Sequence, residues 1–159
     1  AYEKYVLGKT SEGNFSYKVL TKVEEVQALA DKLKDSDETM AADLETTGLN
    51  FLKDSIMSIA LTTRDETYVL PLDHKDSPFR KGEPDYAQVW KCLRQILENP
   101  KSRKVFHNAK FDLKFLINYG IYTKNVWDTK IMHHLLDENM PKSLMDLTKL
   151  YFANELQDL

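Results

Sequence analysis

The chain has 159 residues, 42% of them hydrophobic and 30% charged, which fits one ordinary globular domain and excludes a disordered chain. Its formal net charge is −3, which excludes a general nucleic-acid binder that grips phosphates with a basic surface; any nucleic acid must be held locally, through metal ions. A single cysteine, Cys92, excludes a disulfide framework and points to a reducing compartment, and no apolar run approaches membrane-spanning length.

Residues 1–14 are polar, hold Gly8 and Gly13, and are expected to be an extended lead-in to a domain over 15–159. Phe15 to Leu20 alternates and is expected to be a strand. Thr21 is expected to cap a helix, with Glu24 completing a capping box and Val23, Val26, Leu29, Ala30 and Leu33 along one face. Met40 to Ala42 then starts a strand that ends in the turn chemistry of Thr46-Thr47-Gly48. Alternation puts Asp43 and Glu45 on one face of that strand. Two like charges so close disfavour each other unless a cation sits between them, and hard divalent ions prefer such oxygen ligands. A solvated strand residue is the ordinary reading of either acid alone; the apolar strand and the abrupt turn set this pair apart.

Ile56 to Leu61 reads as a central strand, and Thr67 to Leu72 as the next, giving three strands in an antiparallel meander. Asp73 to Asp85 is a loop. Tyr86 to Leu97 is a helix with Val89, Trp90, Leu93, Ile96 and Leu97 inward. Lys104 to His107 is a short strand, and Asn108 stands where the cap of the next helix belongs, with Asp112 in its first turn. That helix is expected to run to Tyr119 and stop at Gly120. Ile121 to Trp127 is extended, Asp128 caps a helix over Thr129 to Leu136, and an amphipathic helix starts at Leu144. The sum is an α/β fold, a mixed sheet flanked by helices, in which the strand before Asn108 can run beside the Asp43 strand. Asp43, Glu45 and Asp112 then converge. Carboxylates that hold two divalent ions about 4 Å apart are the arrangement for phosphodiester cleavage.

The stretch Asp43-Leu44-Glu45-Thr46-Thr47-Gly48-Leu49 resembles the first motif of the DEDD superfamily of 3′–5′ exonucleases. His107-Asn108-Ala109-Lys110-Phe111-Asp112 resembles the second, Asn-x-x-(Tyr/Phe)-Asp. The likeness is closest to the proofreading domain of family-A DNA polymerases of the bacterial polymerase I type, phage versions included. It extends to Thr67–His74, Asn118–Ile121 and Trp127–Thr129 and covers roughly Tyr17 to Phe152. The resemblance implies a ribonuclease-H-like fold, an antiparallel meander plus parallel strands. It implies that Asp43, Glu45 and Asp112 hold two Mg2+ or Mn2+ ions and carry catalysis. It implies that Leu49 packs against the terminal base, that Asn108 helps place the substrate strand, and that Phe111 lines the pocket wall; core packing is the ordinary alternative for Leu49 and Phe111. The implied substrate is the single-stranded 3′ end of DNA, the implied partner a polymerase domain in the same parent chain, and the implied location the cytoplasm, at the nucleoid or in a phage host.

One part of the pattern departs. The family's third motif, Tyr-x-x-x-Asp or His-x-x-x-Asp, supplies a fourth metal ligand and a group that orients or deprotonates the attacking water. His133 and Asp137 have that spacing, as do His134 and Glu138 if Glu stands in, but both pairs fall too early and read as plain helix residues. The expectation is a domain that stops before its own active site is complete and is nearly inactive alone. Two other readings stay open: a ribonuclease-D-like or Werner-type exonuclease on RNA or DNA ends, and a non-catalytic domain that binds 3′ ends.

Overall fold

The computed structural model describes residues 16–152, which fall into two compact units, one over Ser16–Asp128 and the other including residues 129–152. The first unit holds a six-stranded sheet: β1 (Tyr17–Val19), β2 (Met40–Thr46), β3 (Ile56–Thr62), β4 (Thr67–Pro71), β5 (Lys104–Phe106) and β6 (Val126–Asp128), in the order β1-β4-β3-β2-β5-β6. Strands β2, β3 and β4 form the expected antiparallel meander. Strands β1, β5 and β6 join it in parallel. This is the mixed sheet, an antiparallel meander plus parallel strands, that the resemblance implies.

Three helices accompany the sheet: α1 (Val23–Leu33), α2 (Tyr86–Leu97) and α3 (Ala109–Asn118). The apolar stripes of α1 and α2 pair with each other and with the sheet, so that Val26, Leu29, Ala30 and Leu33 meet Val89, Leu93, Ile96 and Leu97 in one core. Strand β2 alternates cleanly, burying Met40, Ala42 and Leu44 and turning Asp43 and Glu45 to the opposite face. Each buried aliphatic side chain contributes about 1.5–3 kcal/mol, so the acids are carried by a strand that its other face fixes in register.

Local starts and stops differ from expectation in three places. Helix α1 begins after Lys22, not Thr21, and the Glu25 carboxylate accepts the backbone amides of both residues at 3.2 Å. With Lys22 at the cap, Glu25 and not Glu24 stands at the third helical position, which moves the box by one residue. Strand β1 is three residues long and exposed throughout, because it pairs on one side only, at the edge of the sheet. The stretch expected to be extended, Ile121 to Trp127, joins the sheet only at its end, in Val126–Asp128. The stop at Gly120 is as expected: Gly120 has φ +75°, its amide bonds the Ile117 carbonyl and the Ile121 amide bonds that of Leu116. Those two bonds close the helix in a Schellman motif that needs a left-handed residue.

The second unit carries α4 (Thr129–Leu136) and α5 (Leu144–Phe152). His133 is 5% exposed and its Nδ1 lies 3.1 Å from the Tyr151 hydroxyl. Asp137 accepts the Asn139 amide at 2.9 Å. His133 and Asp137 thus each have a local partner, as ordinary residues of a helical hairpin do. No helix among the described residues is long and apolar enough to cross a membrane.

Candidate exonuclease site

The parallel pairing of β5 with β2 decides the site. Met40 lies opposite Lys104 and Ala41 opposite Val105, after which this pairing ends and β2 runs on through Asp43 and Glu45. The chain leaving β5 turns at His107-Asn108 and enters α3, whose first turn carries Asp112. Asp112 is therefore delivered to the flank of β2 that β5 leaves open.

Asp112 is 3% exposed. Burial pushes its carboxyl up to about 7, helped by the negative charge of Asp43 and, to a lesser degree, that of Asp128; its own backbone amide and that of Leu44 pull the other way. Partial loss of water also raises Asp43, against the pull of the Leu44 amide and of His107. The Leu44 amide acts on both carboxylates, which places them side by side. Glu45 projects from the same face of β2, two residues on, into solvent. Among the described residues no group of three His, Cys, Asp or Glu side chains stands close enough to enclose a metal ion. The structure thus brings Asp43 and Asp112 together and leaves Glu45 at the rim.

The donors nonetheless fit a hard divalent ion. Two carboxylates held together, one of them buried, are disfavoured as anions, and a cation between them removes that cost.

A groove of about 590 Å³ gathers the three residues expected to meet substrate: Leu49, Asn108 and Phe111, the last next to Asp112 in the chain. Leu49 is 85% exposed, so it is no core residue. Phe111 is partly buried against the core with its ring tilted on Phe115 at 5.1 Å. Sequence reading missed two other walls, Lys110 and Lys114, four residues apart on α3. Lys114 also stands 5.4 Å from the Phe51 ring.

Sequence reading also misplaced a cap. Asn108 does stand at the start of α3, but with φ 69° and ψ 46° and with no capping bond from its side chain. The cap of α3 comes from Asp128, which accepts the Asn108 amide on Oδ1 at 3.1 Å and the Ala109 amide on Oδ2 at 2.8 Å.

Comparison with known proteins agrees with this arrangement: residues 17–158 match the family described as 3′–5′ exonuclease. The chain belongs to that family. A DNA polymerase I from Synechocystis sp. is 30% identical over 141 residues, covering 84% of this chain and 14% of the polymerase. The chain therefore spans about one seventh of that relative's length. Among solved structures, Escherichia coli RNase D superposes with a TM-score of 0.73 at 19% identity, over 90% of this chain and 35% of that one. Brucella melitensis NrnC with bound Mg2+ superposes at 0.64 and 20% identity, over 91% of this chain and 64% of that one. These likenesses to solved structures show that the chain shares their fold.

Proposed function

We propose that this exonuclease domain removes nucleotides from the single-stranded 3′ end of DNA as the proofreading part of a polymerase, with Asp43, Glu45 and Asp112 as ligands of two Mg2+ or Mn2+ ions. The observation that carries the reading is the placement of Asp43 beside buried Asp112, on a helix whose start also brings Asn108 and Phe111 to a groove shared with Leu49. Likeness to a polymerase I supports the polymerase setting and a polymerase domain in the parent chain.

Each residue has a part that its position suits. Leu49 offers exposed apolar surface to the terminal base, and Phe111 gives that pocket a firm wall. Lys110 and Lys114 face the groove and meet strand phosphates, which lets an acidic chain hold a nucleic acid locally. When bound, the divalent ions supply Lewis acidity at the scissile phosphate and make the attacking water easier to ionise. Asp43 and Asp112 fix where that positive charge sits relative to the groove.

The test is hydrolysis of labelled single-stranded DNA and RNA of one sequence with Mn2+, by this chain and by a form extended by about sixty residues, the scale of a further pair of elements. Each is compared with its Asp43→Ala variant. Cleavage of DNA by the extended form, lost in Asp43→Ala, is the expected result. Preference for RNA would favour an RNA-processing exonuclease. Binding without cleavage by either form would leave a 3′-end-binding domain.

A further inference from the structure

We infer that Asp128 is the positioning residue of the second motif: it caps α3 so that the Asn108 side chain is released to the substrate groove. The inference rests on the groove being the substrate site.

Asp128 is the last residue of β6 and lies opposite Phe106 in the parallel ladder. That register sets its carboxylate beside the point where the chain leaves β5. Asn108 there adopts the left-handed conformation, which costs a non-glycine residue energy but which Asn tolerates better than most. A left-handed residue followed by helical ones turns successive amides to one side and makes a concavity for an anion. The Asp128 carboxylate fills it, one oxygen to each amide, at 3.1 and 2.8 Å.

The consequence falls on Asn108. An Asn at a helix start ordinarily has an extended backbone and spends its side-chain oxygen on the amide two or three residues on. Here the left-handed backbone forgoes that bond, the side chain makes no cap, and Asn108 lines the groove. Asp128 thus allows Asn108 to serve substrate while α3 stays capped. It also fixes the first turn, from which Asp112 points to Asp43. Without Asp128 the helix recruits its own Asn: the backbone relaxes to the extended region and the Asn108 amide swings back onto α3.

Two readouts test this in the folded chain. The first is structural and independent of any substrate. In the wild type the Asn108 Cα shift and HN–Hα coupling report a positive φ, and the Asn108 and Ala109 amides are protected from exchange. In Asp128→Ala both signatures are expected to be lost, and in Asp128→Asn, which keeps one acceptor, to be partly kept. The second is affinity for a fluorescent single-stranded oligonucleotide in EDTA. Asp128→Ala and Asn108→Ala are each expected to weaken it about fivefold, the scale of one cap or one polar contact. The double variant should bind no worse than the weaker single, because both act through one side chain. A positive φ retained at Asn108 in Asp128→Ala, or additive losses in the double variant, would overturn the inference. If Asn108→Ala binds like the wild type while Asp128→Ala still loses the positive φ, the substrate reading of the groove fails and the cap stands. If Asp128→Ala does not fold, Asp128→Asn decides by the same two readouts.

Discussion

Asp112 is a residue whose burial sets its charge against the stability of the fold. Its carboxyl titrates near 7 in the fold against 3.8 for an ordinary aspartate. Between those values the folded state keeps a proton that the unfolded chain has released, so this group's contribution falls as pH rises and is fully unfavourable above 7. Asp112→Asn removes the charge and keeps the shape. In ion-free buffer at pH 8 the variant is expected to be more stable than the wild type by about 2 kcal/mol, with little difference at pH 4. Urea unfolding at the two pH values measures this. Added Mg2+ should raise the wild-type midpoint and move the variant less, since a ligand that binds only the folded state stabilises it. A variant no more stable at pH 8 would mean that the buried charge is already compensated. Gly48 makes the same kind of point at the Leu49 turn. A Cβ there would meet the Asp54 carboxylate at 2.6 Å, and that carboxylate accepts the Asn50 amide at 2.7 Å. Gly48→Ala should break that bond, cost about 1 kcal/mol, and raise KM more than it lowers kcat, because the turn carries Leu49 and not the acids.

At the scale of elements, alternation on β2 and the apolar run of β3 announced the meander, because each strand's burial pattern is written in its own residues. Asp43 beside Asp112 was legible for the same reason: a strand end and a helix start each carried a local signal. What was not legible depends on distant pairs. Nothing near Asn108 shows that its cap comes from a residue twenty positions on, and a free Asn at a helix start reads as its own cap. The groove lysines lacked a signal because lysine on a helix is ordinarily a solvated residue. Strand β5 holds a lysine that a sequence reading likewise takes for a solvated one. Lys104 is fully buried, with Nζ donating to the Asn99 and Ser102 carbonyls, and burial pulls it down to about 8 from 10.5. Between pH 8 and 10.5 the unfolded chain holds a proton that the folded one has lost, so stability from this group rises with pH across that window. Lys104→Met should lose that rise, so the gap in unfolding free energy between wild type and variant should shift by up to about 3 kcal/mol in favour of the wild type from pH 7.5 to 10. An unchanged gap would show that Lys104 meets water in the folded state.

At the scale of the molecule, an acidic chain has to hold an acidic polymer. With a net charge of −3 it gains nothing from its overall field, so the proposed function asks the affinity of the groove, where two lysines stand beside aromatic and aliphatic walls. The salt dependence of binding measures how many phosphates are neutralised, at about 0.7 per contact for a single strand. Two contacts give a slope of log K against log salt of about −1.4, shallow beside that of a basic nucleic-acid binder. Lys110→Ala and Lys114→Ala should each reduce the slope by about 0.7, while Leu49→Ala should weaken binding at every salt concentration and leave the slope alone. Titrating a short oligonucleotide in EDTA at several concentrations of monovalent salt separates the two kinds of contact. A steep wild-type slope would place the grip on a basic surface outside this groove. A slope near zero would mean that stacking alone holds the strand, and that its phosphates are neutralised only once divalent ions join Asp43 and Asp112.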